Sequence, residues 1–186
     1  GKNRMEALGE VQETADFFHG YCDEFERCQS YDRPLPDDPI PAMVSRNRSV
    51  LKPYGVWVVI APFNFPLALA GGPVAAALIT GNTVVLKGSS ATPWAGRLLA
   101  DCIRDAGLPA GVFNYLGGSS GAIGAALVEH PLAAGATFTG SHAVGMGILR
   151  TMPNKRLVLI GNAWTELFRN IPLLVQIFLW YHVIPG

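Results

Sequence analysis

Apolar residues are spaced in two different patterns along the chain. Between residues 5 and 26 they recur every three or four positions, which places them on one face of an amphipathic helix. These residues are Leu8, Val11, Ala15, Phe18, Cys22 and Phe25. Prolines and aspartates then crowd residues 30–41. Because neither a helix nor a central strand tolerates that composition, this segment predicts a surface connector.

From residue 55 onward, short apolar runs alternate with longer helical stretches. The runs predict strands at residues 55–60, 83–87, 112–116, 136–139 and 157–160. Helices are predicted at residues 67–79, 94–105, 122–129 and 141–151. Within the first of these helices, Gly71, Gly72 and Pro73 predict a kink or a break. Because the connections are too long for hairpins, the alternation predicts an α/β fold with a mostly parallel sheet and helices on both faces.

The last apolar segment departs from this rhythm. Residues 171–184 are apolar apart from Gln176 and His182, and about 20 residues are needed to cross a bilayer. A soluble domain does not normally end on such a surface. Two interpretations stay open: a divergent C-terminal helix with an apolar face, or a segment of different origin that promotes self-association or membrane contact.

Charge and cysteine content exclude several classes of function. Fourteen basic residues balance fourteen acidic ones, so no basic stripe favours nucleic-acid binding. The three cysteines show no CxxC spacing, which predicts free thiols in a reducing, cytoplasmic setting and no metal site. The chain opens on Gly1 with no signal-like run and with helical pattern from Lys2, so we expect a fragment of a longer protein.

Polar and glycine residues follow the predicted strands, where helix N-termini present free N–H groups to ligands. After the first strand, two prolines stiffen the loop APFNFP and hold Asn64, whose amide is suited to donate to a developing oxyanion. The alternative is an ordinary strand-to-helix turn. Lys87 ends the second strand, where it would meet a ribose hydroxyl or phosphate; the alternative is a solvated strand end.

Two glycine-containing turns extend this pattern. Residues 117–124 (GGSSGAIG) and 138–145 (FTGSHAVG) both lie between a strand and a helix, where glycine lets a pyrophosphate approach the backbone. Neither turn has the GxGxxG spacing of a dinucleotide fingerprint. Their order along the chain, rather than either turn alone, favours a nucleotide site.

Four motifs between residues 49 and 151 resemble aldehyde dehydrogenases in both order and spacing: YGVWVVIAPFNFP, GNTVVLK, AGLPAGVFNYL and ATFTGSHAVG. The form PFNFPLA is most similar to the branch that acts on glutamate semialdehyde, the 1-pyrroline-5-carboxylate dehydrogenases. The resemblance implies a truncated, Rossmann-like cofactor domain at residues 49–160. An N-terminal helix and connector at residues 1–48 would precede it, and a tail at residues 161–186 would follow.

The resemblance also implies roles for individual residues. Asn64 would be the oxyanion donor, Lys87 would contact the adenosine ribose, and Ser90 stands where NAD-preferring members carry a glutamate. Because a serine there does not repel a 2′-phosphate, the cofactor is expected to be NAD or NADP. Pro62 and Phe63 would line the nicotinamide side. The pyrophosphate and adenine would be flanked by Phe138, Gly140, Ser141 and Val144.

Departures from the family pattern bear on catalysis. Ile160 stands where the family carries its general-base glutamate, and the nucleophilic cysteine belongs to a second domain that this chain lacks. Without that thiolate, the adduct from which hydride leaves cannot form. We therefore expect a cofactor-binding chain that is inactive alone and meets an aldehyde only as part of a complete enzyme.

The tail has a resemblance of its own. The stretch AWTELFRNIPLLVQIFLWYHVIP is similar to a membrane-embedded part of polar amino-acid ABC transporter permeases. This similarity implies a fusion near Leu159, and with it a non-enzymatic, membrane-associated alternative function. A third hypothesis is an active dehydrogenase of which this sequence is one part.

Overall fold

A computed structural model describes residues 2–40 and 44–151 of the chain. The chain divides into two compact units, Gly1–Gly140 and Ser141–Gly186. The predicted strand at 157–160, Ile160 and the tail at 161–186 lie outside the described residues. Within the described part, no helix combines the length and hydrophobicity needed to cross a membrane.

The N-terminal helix α1 spans Arg4–Arg27, one residue beyond the prediction at each end. A capping box fixes its start: the Glu6 N–H donates to the Asn3 side chain at 2.8 Å, and the Asn3 N–H donates to the Glu6 carboxylate at 3.0 Å. A single 3-10 turn, Gln29–Tyr31, follows the helix.

The segment predicted as a surface connector contains a short strand. β1 (Asp32–Pro34) pairs antiparallel with β2 (Arg48–Val50), and the Arg48 guanidinium donates to the Asp32 carboxylate across the pair. This pairing is compatible with the predicted surface connector, because proline excludes central strands and β1 belongs to a separate two-stranded sheet. Here Pro34 occupies the last position of a short, exposed strand.

The remaining elements of the first unit form one α/β layer structure. In chain order they are β3 (Val56–Ile60), α2 (Ala68–Ile79), β4 (Thr83–Lys87), α3 (Pro93–Asp105), β5 (Phe113–Leu116), α4 (Ser120–Val128) and β6 (Ala133–Phe138). Among the described residues, the strands form a sheet in the order β5-β4-β3-β6, with every neighbouring pair parallel. This parallel sheet flanked by helices confirms the predicted fold class.

Helix α2 runs without the predicted break. Gly71 and Gly72 lie inside α2 where α1 packs closely against it. A Cβ at Gly71 would lie 2.5 Å from Thr14 Cγ2, and a Cβ at Gly72 would lie 3.2 Å from the Phe17 ring. Pro73 is tolerated within the same continuous helix. The glycines therefore serve close helix–helix packing, and their partners lie more than 50 positions away in sequence.

The core lies between the sheet and helices α2 and α3. Val59, Val84 and Leu86 lie on one face of the sheet and are fully buried. They pack with apolar residues of the two helices, which are Ala70, Val74, Ala77, Leu99 and Ile103. Burial of the strand residues Val59, Val84 and Leu86 explains why the apolar runs VWVVI and TVVL form central strands.

The described part of the second unit contains helix α5, His142–Thr151. The Val144 and Gly145 N–H groups donate to the Ser141 hydroxyl and carbonyl at 3.4 Å and 3.0 Å. Ser141 therefore acts as a polar cap at the start of α5.

Candidate functional site

The chain reverses its direction of travel across the sheet at β3. From β3 it moves outward to β4 and β5, and then returns to place β6 on the opposite side of β3. In open α/β sheets, ligands bind outside the carboxyl ends of the strands at such a topological switch point. The carboxyl ends of β3 and β6 therefore form the candidate site.

Register brings three strand ends into line there. Ile60 of β3 pairs with Lys87 of β4 on one side and with Phe138 of β6 on the other. The backbone ladder continues one residue further, because the Ala61 N–H donates to the Lys87 carbonyl at 3.2 Å and the Thr139 N–H donates to the Ile60 carbonyl at 3.1 Å. The loops that follow these strands thus leave the sheet from a common edge.

Lys87 is buried at this edge. Its side chain is 1% exposed, and its Nζ donates to the Gly88 carbonyl at 2.8 Å. Burial lowers the pKa of this ammonium below the ordinary lysine value, because desolvation penalises the charged form. The alternative interpretation of Lys87 as a solvated strand end is therefore wrong.

Tyr115 positions the loop that follows Lys87, and the sequence analysis did not single it out. Its ring packs against two glycines, where a Cβ would lie 3.0 Å from the ring at Gly88 and 2.6 Å at Gly96. Its hydroxyl donates to the Pro93 carbonyl at 2.8 Å. These contacts join the end of β4 to the first turn of α3 and leave Ser90 exposed between them. The sequence signal for this contact was the pair Gly88 and Gly96, eight residues apart on either side of the start of α3, which leaves room for a large side chain.

The loop that carries Asn64 leaves the end of β3 and turns into α2. Pro62 is half-buried, whereas Phe63 and Asn64 are exposed, Phe63 by 65%. Within the described residues the Asn64 side chain makes no hydrogen bond, so its amide is available to a ligand. The loop therefore presents the predicted oxyanion donor at the same edge as Lys87.

The first turn of α2 is held from a distant part of the chain. The Glu10 carboxylate of α1 accepts the Leu67 and Ala68 N–H groups at 2.7 Å and 3.2 Å. Leu67 has no side-chain oxygen with which to cap the helix itself. Sequence analysis missed Glu10 because a cap 57 residues away has no local signature.

The end of β6 is shaped by one aromatic ring. The ring of Phe138 folds over Gly140, where a Cβ would lie 2.5 Å from Phe138 Cζ. Only glycine fits beneath the ring in this arrangement. Ser141 and Val144, also predicted to bind cofactor, belong to the second unit, where Ser141 caps α5.

Two clefts lie elsewhere in the first unit. An apolar one of about 760 Å³ is bordered by α1, α2 and the turn before β4, with Phe17, Tyr21 and Trp57 in its walls. A smaller one of about 300 Å³ lies beside α3 and β5. The predicted cofactor residues line neither of these two clefts.

None of the three cysteines lies in the loops that follow β3, β4 and β6. Cys22 and Cys102 are exposed on α1 and α3, and Cys28 follows α1. The Cys28 thiol donates to the Glu24 carboxylate at 3.2 Å, and this hydrogen bond raises the pKa of the thiol. A raised pKa keeps the thiol protonated and weakens it as a nucleophile. No group of three potential metal ligands occurs in the part of the chain that the structure describes.

Comparison with known proteins identifies the family. The model of the aldehyde dehydrogenase family matches residues 1–162. The 1-pyrroline-5-carboxylate dehydrogenase of Geobacillus thermodenitrificans is 43% identical over 148 residues, which are 80% of this chain and 28% of that protein. The Bacillus subtilis enzyme of the same name is 38% identical over 149 residues, with the same coverage. This chain thus spans about 28% of the length of these relatives.

Solved structures give the same result. Proline utilization A from Bradyrhizobium japonicum superimposes with a TM-score of 0.75 and 37% identity, over 81% of this chain and 15% of that one. The NADP-dependent glyceraldehyde-3-phosphate dehydrogenase from Bacillus halodurans, solved with NADP, gives a TM-score of 0.74 and 35% identity, over 81% and 32%. The predicted family resemblance is confirmed, and the chain belongs to the aldehyde dehydrogenase family.

Proposed function

We propose that this chain is the NAD(P)-binding part of an aldehyde dehydrogenase and that it does not catalyse the family reaction alone. That reaction oxidises an aldehyde to a carboxylic acid. The alignment of Lys87 and Phe138 on either side of Ile60, at the topological switch point, is the observation that carries the proposal. The similarity to an enzyme solved with NADP supports the same cofactor class.

The residues at the switch point fit a dinucleotide. Lys87 supplies a buried cationic donor suited to a ribose hydroxyl or phosphate. Gly140 lies beneath the Phe138 ring just after β6, and this ring offers an apolar surface to a ligand. The family resemblance implies pyrophosphate and adenine contacts for Ser141 and Val144 at the start of α5, and these roles remain predictions. Pro62 and Phe63 would line the nicotinamide side.

Asn64 would act on the aldehyde rather than on the cofactor. Its exposed amide is suited to donate a hydrogen bond to the oxygen on which negative charge develops. When bound, the nicotinamide accepts the hydride. The loop that carries Asn64 contains no cysteine, and the family resemblance puts Ile160, which is outside the described residues, in the place of the general-base glutamate. These two departures support an inactive chain.

The substrate class follows from the relatives. The similar proteins from Geobacillus and Bacillus are 1-pyrroline-5-carboxylate dehydrogenases, which supports the semialdehyde of glutamate as the substrate of the complete enzyme. Both NAD and NADP are proposed as cofactors, because the exposed Ser90 places no negative charge near a 2′-phosphate. A cytoplasmic location remains part of the proposal.

The alternative function concerns the tail. Residues 162–186 resemble a permease segment, which supports a fusion chain that associates with itself or with a membrane through residues 171–184. The division into residues 1–48, 49–160 and 161–186 remains a prediction on the same grounds.

Isothermal titration of the full chain with NAD, NADP and, as a control, free nicotinamide tests the proposed function. We expect saturable binding of at least one dinucleotide and none of nicotinamide alone at the same concentration. Absence of heat with both dinucleotides, from a chain whose circular dichroism is that of an α/β protein, would contradict the proposal.

A further inference from the structure

Glu10 joins α1 to the loop that carries Asn64. One carboxylate oxygen accepts the N–H groups of Leu67 and Ala68, as described above. The carboxylate is nearly inaccessible, with 5% of the residue exposed. A charge withdrawn from water to this degree is stabilised only when its hydrogen-bonding capacity is used, and both oxygens of Glu10 have donors.

Lys2 provides the second half of this connection. Its ammonium pairs with the other Glu10 oxygen and lies 3.5 Å from the centroid of the Phe65 ring. Such a cation–π contact is stronger when the cation is partly desolvated, and the Lys2 side chain is 24% exposed. The residue directly after Asn64 is thus held by Lys2, and the helix start two residues further is held by Glu10.

Asn64 itself has no such support. It is exposed, and its side chain makes no hydrogen bond within the described residues. Its position is therefore set by the backbone on either side: the end of β3, which belongs to the sheet, and the turn at Phe65–Ala68, which the α1 residues hold. A local cap by serine or aspartate would satisfy the α2 N-terminus without burying a charge, but it would not tie the turn to α1.

We propose that Glu10 and Lys2 are positioning residues that hold the Asn64 amide in the geometry needed by a reacting carbonyl. The inference rests on the proposed role of Asn64 in the complete enzyme. Oxyanion donors are effective only when their position is fixed before the reaction, and a displacement of about 1 Å is sufficient to lose much of the effect. The pair acts through the backbone and touches neither substrate nor cofactor.

Backbone dynamics of the full chain test this role. In Glu10→Ala, we expect the Leu67 and Ala68 amides to exchange with solvent roughly five- to tenfold faster, the loss expected for a missing helix cap. We expect the order parameter of the Asn64 backbone N–H to fall from about 0.85, typical of rigid backbone, toward 0.6. Glu10→Gln keeps an acceptor oxygen and should retain most of the protection at Leu67 and Ala68. Lys2→Met should mobilise Phe65 while those two amides stay protected.

Glu24→Gln is the matched control, because it removes the same charge from the same helix at the exposed Arg27 pair. It should leave residues 63–68 unchanged. If Glu10→Ala speeds exchange along all of α2 and leaves the Asn64 order parameter unchanged, Glu10 is only a structural cap and the inference is wrong. If Glu10→Ala does not fold, unchanged Asn64 dynamics in both Glu10→Gln and Lys2→Met would overturn it instead.

The same samples separate this inference from the proposed function. Loss of order at Asn64 in the variants, with no dinucleotide binding by the parent chain, would support the positioning role and remove the proposed cofactor function. Dinucleotide binding by the parent chain, with Asn64 order parameters unchanged in every variant, would support the proposed cofactor function and contradict the positioning role.

Discussion

The indole ring of Trp57 lies directly against the backbone of Gly135, its register partner across the β3–β6 pair. A Cβ at residue 135 would lie 2.5 Å from Cη2 and 2.7 Å from Cε3 of the ring. The indole N–H donates to the Thr137 hydroxyl at 2.8 Å, on the same strand as the glycine. The ring thus spans β6 beside the amino-terminal half of β3 and links the two strands.

Gly135→Ala should therefore destabilise the first unit. Because the ring must move or tilt to admit a methyl group, we expect a loss of about 1–3 kcal/mol in the free energy of unfolding, measured by urea denaturation followed by circular dichroism. Gly124→Ala in α4 is the control, since a Cβ there meets nothing within 4 Å and alanine favours a helix. An equal loss for Gly135→Ala in a Trp57→Leu background would show that the ring is not the cause.

Much of the fold was predictable because its signals are local. The β-branched runs VWVVI and TVVLK gave strands within one residue of those observed, and the predicted and observed ends of α1 also differ by one residue. The features that were missed depend on partners far away in sequence. Gly71 was read as a helix breaker because Thr14, the residue that packs against it, is not a neighbour in the chain.

In the candidate site too, residues with a local sequence signal could be predicted and residues that act on distant segments could not. Lys87 and Gly140 could be predicted as site residues because one ends a strand and the other lies just after one, and parallel strands place their carboxyl ends together. Burial of Lys87 was not predicted, since a lysine at a strand end is ordinarily solvated. Tyr115 and Glu10 were missed because each acts on a distant segment: one packs on the first turn of α3, and the other caps α2.

Lys87→Met should weaken dinucleotide binding while preserving the buried side-chain volume. A hydrogen bond from a charged donor contributes about 1.5–3 kcal/mol, so we expect roughly a ten- to hundredfold rise in the dissociation constant by calorimetry. Lys52→Met, in the wall of the apolar cleft, is the matched control and should bind like the parent chain. Indistinguishable titrations for Lys87→Met and the parent would remove Lys87 from the site.

The pH dependence of binding should reflect the burial of Lys87. Because desolvation lowers the pKa of its ammonium, the cation is lost at a lower pH than for an exposed lysine. Affinity for an anionic dinucleotide should therefore fall as the pH rises into the alkaline range. This fall should be absent in Lys87→Met, whose residual binding has no ammonium to lose.

Ser90→Glu should shift the cofactor preference toward NAD. A carboxylate at this exposed position is suited to accept hydrogen bonds from ribose hydroxyls and repels a 2′-phosphate, so the ratio of NADP to NAD dissociation constants should rise by about tenfold. Ser90→Gln has nearly the same size without the charge and should leave the ratio near that of the parent. A rise of equal size in both variants would mean that side-chain bulk, rather than charge, governs the preference.

Mixing the chain with glutamate semialdehyde and NAD or NADP should produce no NAD(P)H. The hydrogen bond to Glu24 raises the pKa of the Cys28 thiol, and Cys22 and Cys102 lie on α1 and α3 rather than in the loop that carries Asn64. No thiolate is therefore in place to form the adduct that donates hydride. Absorbance at the reduced nicotinamide band is the measurement. An aldehyde-dependent increase that survives purification and disappears in Asn64→Ala would show that the chain is catalytically competent.

Removing residues 162–186 should improve the solubility of the chain. Residues 171–184 form an apolar run interrupted only by Gln176 and His182, and exposed apolar segments favour association. The family match ends at residue 162, so the deletion removes no part of the matched segment apart from its last residue. Sedimentation should show a smaller associated fraction for the truncated chain, with an unchanged α/β circular dichroism spectrum. Replacing Leu173, Ile177 and Leu179 by serine in the full chain is the control, because it lowers the hydrophobicity of the run without shortening the protein. If the truncated chain unfolds while this variant aggregates, the tail belongs to the domain core and the fusion interpretation is wrong.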